Sequence, residues 1–223
     1  MLTPRLPSEP CLVIADGSLS SLVLCALSGE MARLRRSDEK SLLYPAFWTR
    51  GRDQEDVLPA VDRATQTHAS LYGLELVTDR AGYPSGDDEM GMDTDSGAGT
   101  HETRLLLDAC SIAMSRGIRK VVWGVQIDGE DDGGTERIDR IARVLDRAIL
   151  VGRLATLDAP SSGAVEVVVE TPLADLTDQQ VVDLALDLSV AHDSCWWRGV
   201  SHPLADEQSR RFEDLLSGVR VGR

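Results

Sequence analysis

The stretch CLVIADGSLSSLVLCAL, residues 11–27, governs how this chain is read. Cys11 to Ala15 is a short apolar run of strand length. Asp16-Gly17-Ser18 is a polar turn, and the residues from Ser20 to about Arg36 resume at once with a helical apolar pattern. A strand running through a small polar turn into a helix is the opening of an α/β unit. The helix N-terminus there presents free N–H groups and a positive dipole end, which suits an anion. The turn is not a P-loop, because G-x-x-x-x-G-K-[ST] is absent. Nor is it a dinucleotide fingerprint, because Gly17 stands without G-x-G-x-x-G. Two readings remain: a phosphate-holding turn, or a plain connection in which Gly17 permits a tight backbone and Ser20 or Ser21 caps the helix.

Outward from that turn, strand-like and helix-like segments alternate. Strands are expected at 44–48, 74–79, 120–125 and 165–170. Helices are expected from Asp53 to about Leu71, from His101 to Arg116, from Glu136 to about Leu154 and from Asp206 to Leu216. In the first of these helices Val57, Val61 and Ala64 share a face with Leu58 beside them. In the second, Leu105, Ala109, Ile112 and Ala113 point inward. Thr177-Asp178-Gln179-Gln180 has the form of a capping box and opens one more helix. Short apolar strands alternating with longer helices imply an α/β fold, a doubly wound parallel sheet of about five strands with helices on both faces.

The chain has 223 residues, enough for a single domain with a sizeable core, and 42% of them are hydrophobic. No apolar run reaches membrane-spanning length, and MLTPRLPSEP lacks the apolar centre of a secretory leader. A soluble cytoplasmic protein is the expectation. The net charge of −14, with lysine only at Lys40 and Lys120, argues against nucleic-acid binding through a basic face. Cys11, Cys25, Cys110 and Cys195 are scattered, which fits neither a disulfide framework nor a self-contained zinc site. The acidic, glycine-rich segment 84–101, PSGDDEMGMDTDSGAGTH, reads as a flexible surface loop or as a lid over the carboxyl edge of the sheet.

Several segments carry a resemblance. The turn Ala15-Asp16-Gly17-Ser18-Leu19-Ser20-Ser21 resembles the S-G-G-x-D-S-[ST] turn of the PP-loop ATP pyrophosphatase superfamily, the adenine nucleotide α-hydrolase-like fold. SRGIRKVVWGVQIDGEDDGGTERIDRIARVL (115–145), VVETPLADLTDQQVVDLALDLSV (168–190) and HDSCWWRG (192–199) resemble later segments of one of its families, the 7-cyano-7-deazaguanine synthases of queuosine biosynthesis. The resemblance covers about residues 10 to 200. It implies strand order 3-2-1-4-5, a C-terminal helical segment at about 190–217, and a crevice lined by Asp16 to Ser21 on one side and Gly124 to Asp128 on the other. The implied nucleotide-binding residues are Asp16, Gly17, Ser18, Ser20, Ser21, Trp48, Arg50, Gly124 and Gln126, with weakly bound ATP or AMP as the implied ligand.

The departures from the family pattern are equally specific. Leu19 stands where the family has the turn aspartate, Asp16 where it has glycine, and Thr177-Asp178 where it has Ser-Lys. Asp178 therefore puts an anion where a cation would face phosphate. Only Cys195 remains of the family's four zinc thiolates, so no zinc is expected. These losses point to a diverged, catalytically inactive member that keeps the fold and a nucleotide-sized pocket, with no catalytic residue to assign. Two alternatives stay open: an active ATP-dependent amide- or nitrile-forming ligase using substitute residues, and an interaction or scaffold protein without nucleotide.

Four further features are ambiguous. His68, His101, His192 and His202 lack metal-ligand spacing and read as surface or capping residues, with His101, Glu102 and Arg104 near the family's substrate contacts. Arg50 and Arg52 are the nearest cations after the second strand. Asp128, Glu130, Asp131 and Asp132 read as a solvated acidic loop or a Mg²⁺ site. Trp196-Trp197 packs the C-terminal segment, stacks a base, or anchors a homodimer.

Overall fold

The structure, a computed structural model, describes residues 9–35, 40–46, 56–77, 96–127, 134–158 and 166–218. Five parallel strands form one sheet: β1 (Cys11–Ala15), β2 (Leu42–Pro45), β3 (Glu75–Leu76), β4 (Lys120–Trp123) and β5 (Val168–Glu170). Their order is β3-β2-β1-β4-β5, the order implied by the resemblance. The helices are α1 (Leu19–Arg35), α2 (Leu58–Tyr72), α3 (Ser96–Ser115), α4 (Gly134–Asp158), α5 (Asp178–Asp187) and α6 (Pro203–Gly218).

β1 shows why its sequence is apolar throughout. Every residue is buried, and alternate side chains enter opposite cores. Cys11, Val13 and Ala15 join the core beneath α1, α2, α5 and α6. Leu12 and Ile14 join the core beneath α3 and α4. A strand covered on both faces leaves no position for a polar side chain.

The structure moves several expected boundaries. β2 lies at Leu42–Pro45, starting two residues before the expected 44–48, in register with β1 from Leu12↔Leu42 to Ala15↔Pro45; residues 47 and 48 lie outside the described residues. Pro45 carries no N–H, and the ladder closes with Ala46 donating to the Ala15 carbonyl at 2.8 Å. β3, β4 and β5 are all shorter than their apolar runs. α3 begins at Ser96, so the end of the expected loop 84–101 is helical, while 84–95 lies outside the described residues. Gly99 there has a packing role: a Cβ on it would lie 2.9 Å from the Arg147 guanidinium of α4, which also pairs with Glu102. The buried face of α3 is centred on Leu106, Ala109, Cys110 and Ala113; Leu105 and Ile112 pack at its margin. α2 starts at Leu58 with Pro59 in its first turn, and α6 starts earlier than expected, at Pro203.

The capping box and the cysteines stand as the sequence suggests. Thr177 caps α5: its hydroxyl accepts from the Gln180 N–H at 3.3 Å, and the Gln180 side chain accepts from the Thr177 N–H at 2.8 Å. All four cysteines are free and buried. Trp196 and Trp197 are buried as well, with Trp197 stacked on Phe212 of α6 at a centroid distance of 5.7 Å. They hold the C-terminal segment to the body of the protein, so they offer no exposed anchor for a dimer. No helix among the described residues is long and apolar enough to cross a membrane.

Candidate binding crevice at the sheet switch point

The chain leaves β1 for β2 by way of α1, on one face of the sheet. It reaches β4, on the other side of β1, by way of α3 on the opposite face. The carboxyl ends of β1 and β4 therefore open a crevice between them. The turn after β1 forms one wall. Gly17 has φ +73°, a left-handed conformation that strains any side-chain-bearing residue. A Cβ there would lie 3.0 Å from Ala64 of α2 and 3.3 Å from the Trp196 Cβ. Its carbonyl accepts from the Trp196 N–H at 3.1 Å. The turn is thus clamped between α2 and the C-terminal segment.

Three donors of that turn, the Ser18 and Ser21 N–H groups and the Ser21 hydroxyl, are engaged internally. Asp16 Oδ1 accepts from the Ser18 N–H at 2.9 Å. Ser18 Oγ accepts from the Ser21 N–H at 3.3 Å, and Ser21 Oγ donates to the Ser18 carbonyl at 3.0 Å. A helix N-terminus is where a phosphate would sit. Here the carboxylate of Asp16 occupies that electrostatic role, supplied by the chain itself. Leu19 is fully buried in the core under α1, so its position faces hydrocarbon and not the crevice.

The far wall is a chain of polar contacts. Ser20 Oγ donates to Gln126 Oε1 at 3.0 Å, across 106 residues of sequence. Gln126 Nε2 donates to Asp178 Oδ1 at 2.6 Å. Arg211 of α6 grips both oxygens of Asp178, Nε to Oδ2 at 2.8 Å and Nη2 to Oδ1 at 2.7 Å. Asp178 is therefore not the uncompensated anion that the sequence suggested; α6 brings its counter-charge. The crevice that remains is a cavity of about 200 Å³ whose lining includes Asp16, Ser20, Gln126, Trp196 and Arg211. Ligand sites for small organic molecules generally begin near 300 Å³.

The structure brings Asp16, Ser18, Ser20, Ser21, Gly124 and Gln126 together around this cavity. Gly17 shapes the turn from outside the lining. Trp48, Arg50, Arg52, Asp128, Glu130, Asp131 and Asp132 lie outside the described residues. Of the trio His101, Glu102 and Arg104, only Glu102 reaches the cavity wall. What sequence reasoning missed is the part played by α6. Gln208, Arg211 and Phe212 line the crevice, and their i, i+3, i+4 spacing places them on one helical face. That spacing was visible in the sequence, but its destination was not.

The histidines divide. His202 caps α6, its Nδ1 accepting from the Leu204 N–H at 3.2 Å. His68 is a correction: it is fully buried in α2, with Nε2 3.2 Å from the Ser194 carbonyl and Nδ1 without a hydrogen-bond partner. Burial pushes its pKa down to about 4. Burial pushes the Cys195 thiol up, away from the thiolate a metal requires. Among the described residues no group of three or more His, Cys, Asp or Glu side chains is placed to hold a metal ion.

No protein-family model matches the sequence, and no curated protein sequence does either. Among solved structures, the chain is similar to the U34-tRNA thiolase NcsA from Methanococcus maripaludis, determined with its [4Fe-4S] cluster. The TM-score is 0.52 at 16% identity, and the match covers 94% of this chain and 66% of that one. At this identity the likeness concerns the fold. The neighbour agrees with the five-stranded parallel α/β fold observed here and singles out no family.

Proposed function

We propose that this chain is a diverged PP-loop-type protein that does not cleave ATP, and whose crevice works as an internally bonded hub. The observation that carries this reading is the Asp16 carboxylate on the Ser18 N–H, at the start of α1. A triphosphate placed there meets a resident anion in place of a free donor, and like charges at contact distance repel. The contacts from Ser20 to Arg211 support the same reading, because they already use the hydroxyl, amide and cation that a phosphate would recruit. Loss of positioning and of charge neutralisation around the phosphates removes the main source of rate in phosphoryl chemistry.

The test is calorimetry with ATP and AMP, with and without Mg²⁺, alongside a pyrophosphate-release assay with ammonia and a 7-carboxy-7-deazaguanine acceptor. The expected result is no saturable binding below about 1 mM and no release above background. Asp16→Gly restores the family's residue and frees the Ser18 N–H; phosphate or AMP affinity is expected to rise about tenfold from the gained charge-assisted hydrogen bond. Mg²⁺-dependent pyrophosphate release abolished by Ser20→Ala would overturn the reading in favour of an active ligase.

A specific observation also favours an interaction role for the framework. The outer face of α4 exposes Ile138, Leu145, Ile149, Leu150, Leu154 and Leu157.

A further inference from the structure

α4 packs against α3 and β5 and turns the remainder of its circumference outward. Its core side is Val144, Ala148, Val151 and Ala155, at the usual helical spacing. That face accounts for one stripe. Leu145, Ile149, Leu150 and Leu154 are 43%, 52%, 63% and 44% exposed on the other side. A helix that is apolar on both sides is ordinarily covered on both sides. Exposed apolar surface of this continuity marks an interaction site.

The order of residues along α4 says what covers it. Leu145-Asp146-Arg147-Ala148-Ile149 is followed by Leu150-Val151-Gly152-Arg153-Leu154. Read inward from its two ends, the decapeptide pairs Leu with Leu, Asp with Arg, and Ile with Leu. The innermost and outermost of those pairs, and Asp146 with Arg153, are the exposed positions. The remaining two pairings, Arg147 with Gly152 and Ala148 with Val151, fall on half-buried or buried positions that serve the protein's own packing. Two copies of this helix laid antiparallel, with a two-fold axis between Ile149 and Leu150, therefore oppose apolar to apolar and carboxylate to guanidinium. This is the self-complementarity that an isologous interface requires.

Charge points the same way. The chain carries −14 overall, which opposes self-association. α4 is an exception. It holds Arg137, Arg140, Arg143, Arg147 and Arg153 against Glu136, Asp139, Asp146 and Asp158, five cations to four anions. The helix is thus close to neutral, and a second copy meets little repulsion there. The groove between α4 and β5, about 360 Å³ and lined by Ile149, Gly152, Thr156, Leu157 and Val168, continues the apolar surface past the helix. A helix of 25 residues is about 37 Å long.

We infer that the outer face of α4 is the contact surface between two copies of this chain, paired antiparallel about Ile149–Leu150. At about 100° per residue, Asp146 and Arg153 lie on the outward midline of α4, opposite its core side, so the interface holds two reciprocal Asp146–Arg153 ion pairs along its midline, with Ile149 and Leu150 beside them and Leu145 and Leu154 at its margins.

Analytical ultracentrifugation of the full chain at micromolar concentration tests this. The wild type is expected at twice the 24.2 kDa chain mass. Asp146→Arg opposes guanidinium to guanidinium at both ion-pair positions, and Arg153→Asp opposes carboxylate to carboxylate; each alone is expected to raise the dimer Kd by about 100-fold. A mixture of the two variants is the decisive sample. One copy then carries a guanidinium at both positions and the other a carboxylate at both, so each ion-pair position of the mixed dimer again opposes unlike charges. Dimers are expected to reappear on mixing, and also in the doubly reversed D146R/R153D chain. Wild type at monomer mass throughout would overturn the inference. So would a dimer indifferent to either single reversal, or a mixture that stays monomeric while circular dichroism shows both variants folded.

Discussion

The crevice at the end of β1 and the outer face of α4 are opposites in how their groups are satisfied. In the crevice the key polar side chains have partners from their own chain: Asp16 with Ser18, Ser20 with Gln126, Asp178 with Arg211. On α4 the large apolar side chains stand in solvent without a cover from the described residues. The place where the fold class leads one to look for a ligand is closed by internal bonding. The place that the fold treats as a mere covering helix is the one left open. Internal satisfaction of polar groups and external exposure of apolar ones are separate criteria, and here they point to different surfaces.

If the crevice is structural, damage to it costs stability; if α4 is a contact surface, damage to it costs association and little else. The largest effect is expected at Leu19. Leu19→Asp installs the carboxylate of the PP-loop turn pattern that the sequence resembles but places it in hydrocarbon, with an expected loss of about 4 kcal/mol in urea denaturation and no gain of ATP turnover. Recovered turnover with stability intact would undo the contrast.

His68 comes next. Its pKa is about 4 in the folded protein against 6.5 for the free side chain. Between those values the unfolded chain binds the proton and the native one does not, so stability rises with pH across that window. Acidification from pH 6.5 to 4 is expected to cost on the order of 3 kcal/mol from this group, with no further loss below pH 4. His68→Phe flattens that slope, which pH-dependent denaturation reads directly.

Removing Arg211 is a milder insult, because Asp178 and Arg211 are 23% and 20% exposed. Arg211→Ala strands the Asp178 carboxylate and is expected to cost about 2 kcal/mol. The double variant D178A/R211A should cost less than the sum of the single changes, as a double-mutant cycle would show. The smallest effect is expected on α4. Leu157→Lys, at a side chain 80% exposed, should change the stability of the folded monomer by less than about 0.5 kcal/mol. A loss as large as that of Arg211→Ala would mean that α4 is held by something inside the protein.

Much of the fold was legible in the residues. The alternation of apolar strands and amphipathic helices is a local signal, and so is the Thr177 capping box, whose partners are three residues apart. The tight turn at Gly17 was legible for the same reason. Strand ends were not. Leu42 and Leu43 belong to β2, although the run of aromatic residues that follows drew the expectation toward 44–48; pairing with β1, not propensity, sets that limit. The crevice was legible only as a set of residues near the turn. Its bonding pattern was not.

Whatever depends on neighbours a few residues away is written in the chain itself: the elements, the tight turn at Gly17 and the absence of a P-loop motif. Whatever depends on which elements meet emerges only when the chain is folded. Asp178 is an unpaired anion in the sequence and a neutralised one in the fold, because Arg211 arrives from 33 residues away. His68 is an ordinary helical histidine in the sequence and a buried, neutral one in the fold, because the 192–194 turn closes over α2. Burial and charge compensation are properties of contacts between distant segments, and no local pattern encodes which distant segment will supply them.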